Sequence, residues 1–187
     1  MGRLPRLTVL AALLACALLG VGCGNKQEVV TQGATEGIYL DVDELKYQIQ
    51  ISRYLNASDV EDRWYLAGLP SGTQQPGGDE TWFGVFLRVS NATPRTITPA
   101  NDFEIVDTQD NVYRPVPLDT KINPFAYRPD PIPSKSLIPQ PDSPASTGTI
   151  QGSLLLFKVK TASLQNRPLE FRLRGANGTT AVVDLDV

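Results

Sequence analysis

Three carboxylate pairs, one thiol and a proline-flanked set of aromatic and basic side chains are the residues whose types and spacing could do chemistry. Asp41 and Asp43 are two apart, as are Asp184 and Asp186, so an extended strand puts each pair on one face; Asp107 and Asp110 lie at one turn. Paired carboxylates hold calcium, which takes about six to eight oxygens, or hydrolyse glycosides when roughly 5–9.5 Å apart. None of the three pairs has the loop spacing or glycine of a calcium loop, so solvated strand faces and turn caps are expected, with no metal. Ser153 with Lys158 or Lys160 would make a serine–lysine pair, but no Ser-x-x-Lys opens a helix. Histidine is absent. That removes imidazole-activated nucleophiles and histidine-bearing zinc sites, and neither a catalytic residue nor a cofactor is expected.

The binding candidates are aromatic. Trp64, Tyr65, Trp82 and Tyr113 would form a platform for sugar rings if they shared an exposed face, although aromatics of mixed strand and loop origin more commonly pack into core and rim. Residues 115–144 hold nine of the 15 prolines and few strand signals. Loops this long are uncommon in compact domains and are usually functional or disordered. Phe125, Tyr127, Arg114 and Arg128 in and beside this stretch are therefore the candidate partner-binding residues. Pre-set proline geometry lowers the ordering cost of holding an aromatic ready. The competing expectation is that Phe125 and Tyr127 merely pin the loop to the domain.

The thiol is Cys23. Arg3 and Arg6 precede an uncharged, mostly apolar run, Leu7 to Gly22, that stops at Cys23-Gly24-Asn25-Lys26, the pattern of an export leader. The run falls short of the roughly 20 residues that cross a bilayer core. Gly20-Val21-Gly22-Cys23 resembles the lipoprotein box Leu-Ala/Ser-Gly/Ala-Cys, with glycine in the leucine position. Leu13-Leu14-Ala15-Cys16 fits letter by letter, but cleavage there would leave apolar residues on the mature end. The reading makes Cys23 the lipidation site, anchoring the chain through two or more acyl chains. Losing Arg3 and Arg6 takes the formal net charge from −3 to −3 − 2 = −5, with the basic residues scattered singly, which argues against nucleic acid. Only one cysteine then remains, so stability must come from a core.

Strand patterns must position all of this. Residues 24–36 are polar and aperiodic, the signature of a tether. Alternation over 46–54, with Tyr47, Ile49 and Ile51 on one face, predicts a half-buried strand, preceded by a shorter one near 37–42. Ser58 and Glu61 form a capping-box pattern ahead of one or two helical turns over 59–65. Residues 82–91 read as a central strand apolar on both faces. Phe103–Val106 and Val112–Tyr113 flank a turn, residues 150–159, 169–173 and 181–187 return to strands, and Asn177-Gly178 marks a hairpin. The expected architecture is all-β: an immunoglobulin-like antiparallel β-sandwich with a long proline-rich loop and a lipoprotein signal peptide, divided into leader 1–22, tether 23–36 and domain 37–187.

The succession WFGVFLRVSN, FEIVDTQDNVYRPVPLD, NPFAYRP, IQGSLLLFKV and LQNRPLEFRL resembles uncharacterised bacterial, in particular actinobacterial, envelope lipoproteins, relatives of a broad immunoglobulin-like exported family of unknown function. The resemblance implies a β-sandwich and a location, and supplies no catalytic residues. Expected is a non-enzymatic binding or structural module of the cell envelope, held to the membrane by lipid, with an envelope protein or polymer as partner. The alternative is a protein that binds or processes cell-wall carbohydrate. Mass spectrometry of the native N-terminus is expected to find Cys23 as the first residue, carrying acyl chains; an intact Met1 would remove the anchor.

Overall fold

In the computed structural model, which describes residues 28–187, side-chain alternation builds two sheets. The first has the order β1 (Gln32–Gly33), β10 (Thr180–Leu185), β9 (Leu169–Arg174), β5 (Asp102–Val106) and β6 (Val112–Tyr113). The second runs β2 (Tyr39–Val42), β3 (Leu45–Leu55), β4 (Glu80–Ser90). Two further strands share the free edge of β4: β8 (Ser153–Lys160) opposite Glu80–Leu87, and β7 (Leu137–Ile138) opposite Val89 and Ser90. All pairings are antiparallel except β1 with β10. Two short helices, α1 (Asp62–Tyr65) and α2 (Pro144–Thr147), and a 3-10 turn over Thr161–Gln165 complete the described residues. This is an all-β two-sheet sandwich.

The main core lies between the sheets. Phe83, Val85, Leu87 and Val89 of β4 and Leu155, Phe157 and Val159 of β8 face Phe103, Ile105, Phe171, Leu173 and Val183 of the other sheet. Each such side chain, fully buried, contributes about 1.5–3 kcal/mol. The opposite face of β4 is buried too. Trp82 and Phe86 join Leu55, Tyr65, Leu154 and Leu156 in a second cluster, against which Leu66, Leu69, Val116, Leu118, Phe125 and Ile150 pack. A third layer, made from α1 and the proline-rich segment, therefore covers the second sheet. Gly84 is required there: a methyl group in its place would stand 3.1 Å from Leu55, Phe86 and Leu154.

Three expectations need correction. Between Ile49 and Ile51 the register of β3 slips against β4, so the alternation changes phase: Leu45, Tyr47 and Ile49 face the main core, Ile51 is exposed, and Leu55 enters the second cluster. The turn before α1 is held by Asp59, whose Oδ1 accepts the N–H groups of Glu61 (2.8 Å) and Asp62 (3.4 Å), rather than by Ser58. Finally, the described part of the expected tether is docked. Asp41 donates its N–H to Val30 O (2.6 Å), Val30 donates to the Asp41 carboxylate (3.0 Å), β1 pairs with β10, and the Glu36 carboxylate accepts the Ser52 N–H (3.0 Å). Residues 30–36 close one edge of the sandwich because their backbone groups satisfy otherwise open strand edges.

Two buried tyrosines hold the connection into β5. Tyr47 Oη accepts the Ala100 N–H (2.7 Å), while Tyr127 Oη donates to the Ala100 carbonyl (2.8 Å). One residue's donor and acceptor are thereby satisfied by hydroxyls from β3 and from the proline-rich segment. Burial pushes the Tyr47 phenol up to about 12, with the Ala100 hydrogen bond working the other way, and pushes Tyr127 up further, aided by Tyr47 beside it. Tyr127→Phe or Tyr47→Phe leaves a buried backbone group unpaired and should cost about 1–3 kcal/mol, a fall of roughly 3–8 °C in Tm by calorimetry. Because the folded-state values lie above that of a free phenol, this stability is complete below pH ~10 and declines as pH rises from there toward 12. Wild type should therefore unfold more readily across that alkaline window, and the double Phe variant should show less of that dependence.

Candidate functional site

The covering layer is assembled from two chain passes. In α1, Asp62 is buried and accepts the Asn56 N–H (2.7 Å) while ion-pairing with Arg53 (2.8 Å), which fixes the turn to the end of β3. Tyr65 points inward, edge-on to Phe86 (centroids 5.0 Å) and to Phe125 (4.9 Å). The buried Asn123 stitches the second pass to the first. Its amide donates to Tyr65 O (2.9 Å) and Ala67 O (3.0 Å), and its Oδ1 accepts the N–H groups of Phe125 (2.9 Å) and Ala126 (3.1 Å). Gly68 permits the close approach. Its φ is +75°, the Asp119 N–H donates to its carbonyl (2.8 Å), and a methyl group there would stand 2.9 Å from Asp119 O and 3.4 Å from Ile122 Cβ.

Outside this stitched layer three large apolar side chains face water: Val60 (65% exposed), Trp64 (66%) and Ile122 (61%). Val60 and Trp64 are four apart on a turn whose inward side is Asp62 and Tyr65, so they lie together on its outer side. Ile122, from the proline-rich segment, lies next to Gly68, four residues after Trp64. Arg63 and Lys121 flank the patch, and neither is ion-paired among the described residues. Exposed apolar clusters with a polar rim mark interaction surfaces.

The residues expected to bind a partner fall in different places. Tyr127 is buried, with its ring edge-on to Phe103 (5.3 Å), and Phe125 is half-buried under Tyr65. Neither is offered to a partner: Phe125 helps cover the outer face of β4, and Tyr127 packs into the main core between the sheets. Arg114 is exposed but belongs to the charged outer face of the first sheet, paired with Asp102 (3.4 Å) and Glu104 (3.2 Å). Arg128 is exposed at the mouth of a pocket and donates to the Thr120 carbonyl. Cys23 lies outside the described residues. The proline-rich segment is no free-standing display loop. Val116 N–H donates to Leu156 O (2.7 Å), Tyr127 N–H to Leu154 O (2.9 Å) and Leu154 N–H to Phe125 O (2.7 Å), sealing the open edge of β8.

The aromatic platform is not assembled: Trp64 is exposed, Trp82 and Tyr65 are buried, and the Tyr113 hydroxyl bonds Ser163 Oγ (2.6 Å). The carboxylate pairs are separately engaged. Asp41 pairs with Lys46 (2.6 Å), Asp43 accepts the Asn177 N–H (3.0 Å), and Asp186 accepts the Thr35 hydroxyl (2.6 Å). Burial of Asp107 would raise its carboxyl, but hydrogen bonds from Asn111, Ser163 and Asn166 outweigh this and hold it well below the usual range, as suits a turn cap. Among the described residues no three histidine, cysteine, aspartate or glutamate side chains gather as a metal would need. Ser153 and Lys158 project from opposite faces of β8, and Lys158 pairs with Glu80 (3.1 Å). Val60 and Ile122 escaped sequence reasoning. The four-residue spacing of Val60 and Trp64 was the available signal; Ile122 had none.

Fold and surface together define a β-sandwich with a third, covering layer that exposes an apolar patch. No family model matches the chain, and no curated protein matches it. Among solved structures it is similar to an uncharacterised β-sandwich protein from Clostridium difficile 630 (10% identity, 87% of this chain, 99% of that chain, TM-score 0.47) and to the yjhA protein from Bacillus subtilis (9%, 82%, 99%, 0.49).

The two aromatics of this layer should separate cleanly. Trp64→Ala should leave Tm within about 1 °C, as surface substitutions do, and abolish most iodide quenching of tryptophan fluorescence, since Trp82 is buried. Phe125→Ala should cost about 2 kcal/mol through lost packing on Tyr65. A large loss of Tm in Trp64→Ala would make the patch structural.

Proposed function

We propose that this chain is a lipid-anchored, non-enzymatic binding module on the extracytoplasmic face of a bacterial cell membrane, and that the Trp64 patch is its contact with a protein of the envelope. The observation that carries the reading is the patch itself: Val60, Trp64 and Ile122 stay in water although the layer bearing them is tightly stitched. An exposed tryptophan with flanking cations suits a hot spot, where Trp and Arg are enriched. The aliphatic neighbours favour a protein over a sugar polymer, which needs flat aromatic faces. Arg63 and Lys121 suit a partner with acidic residues around an apolar recess.

The anchor reading rests on the leader and on Cys23. With Val30 held at the sandwich edge, residues 24–29 span at most roughly 20 Å, so the anchored domain would stay close to the bilayer. That restricts partners to proteins at or near the membrane surface.

Cys23→Ala should move the protein from the membrane pellet to the soluble fraction. A photo-crosslinking residue at position 121 in living cells should give one discrete adduct, lost when Trp64→Ala and Ile122→Ser are combined. Adducts from other faces but none from this one would defeat the contact surface; a soluble, unprocessed wild type would defeat the anchor.

A further inference from the structure

The proline-rich segment lines an open pocket of about 330 Å³, walled by four of its prolines. Its floor is made by Ala126, Ile138, Ala145 and Ser153, all buried. Arg128 and Asp130 also line it, both exposed and two residues apart; the Arg128 guanidinium donates to the Thr120 carbonyl, and neither side chain is in an ion pair among the described residues. The volume lies within the range of small-molecule sites, and an apolar floor with a few convergent polar groups is their usual chemistry. Proline walls need little ordering when a ligand enters.

We infer that this pocket binds a small zwitterion with an apolar side chain, of the class of a free aliphatic α-amino acid. The hydrocarbon fills the floor, where Ser153 is the one polar residue beside Ala126, Ile138 and Ala145; Gln140 and Ser143 line the pocket as well. The carboxylate meets the Arg128 guanidinium, and the ammonium meets the Asp130 carboxylate. One unpaired charge of each sign at a shared mouth discriminates against simple anions and simple amines, each of which would gain one attraction and one repulsion. The site is separate from the Trp64 patch, and its test requires neither anchor nor partner.

The probes are L-leucine, 4-methylpentanoate, 3-methylbutylamine and glycine, titrated into the ¹⁵N-labelled domain while the amide signals of Ala126, Ile138, Ala145 and Ser153 are followed. Leucine should shift all four saturably, at about millimolar concentration. Either singly charged analogue should bind about three- to fivefold more weakly, as expected for exposed charges, and glycine should not saturate. Arg128→Gln should erase leucine's advantage over the amine, and Asp130→Asn its advantage over the carboxylate; both positions are exposed, so folding is unaffected. No saturable shift with leucine up to its solubility limit overturns the pocket. Equal affinity for leucine and both analogues overturns the zwitterion.

Discussion

Strand β4 is apolar on both faces and sits in the middle of its sheet, so a two-layer sandwich alone would leave Trp82 and Phe86 in water. The remaining architecture answers that constraint. The first sheet covers one face; α1 and the proline-rich segment cover the other. No cysteine lies among the described residues, so burial and hydrogen bonding hold this third layer in place. Covering it with irregular chain is entropically costly. Prolines reduce that cost by narrowing the unfolded ensemble, which explains why the segment is so rich in them and yet ordered.

The covering chain is fastened at points where a buried polar side chain meets main-chain groups. Asn123 ties it to α1, the Tyr127 hydroxyl ties it to Ala100, and the buried Asn91 donates to the Ile132 carbonyl (2.9 Å). Each satisfies a backbone group that burial would otherwise leave unpaired. The layer is therefore rigid enough to carry both an exposed apolar patch and a proline-walled pocket.

Much of the fold was legible because it follows from alternation. The apolar residues of 82–90 announced a central strand, and Asn177-Gly178 announced the final hairpin. The phase change in β3 was not legible at its position: a bulge depends on what lies across the sheet, and residues 46–52 alternate without a break, which comes only at Arg53-Tyr54. The docking of residues 30–36 was hidden for a similar reason, since Gln32 and Gly33 pair through backbone groups that every polar tether also possesses. At the candidate site, aromatic type suggested exposure for Phe125 and Tyr127, whereas the outer face of β4 required Phe125 as cover and the core between the sheets required Tyr127 as filling.

From residue order alone came the strands, the final turns, the lack of histidine and the uncharged run that stops at Cys23, because these depend on composition and on local period. Which aromatics face water, which asparagines serve as stitches, and where Arg128 and Asp130 meet a cavity were decided only when distant segments packed together. Burial is a property of neighbours. Trp64 and Trp82 are the same side chain in the sequence, and the sheet beneath one and the solvent around the other make them different.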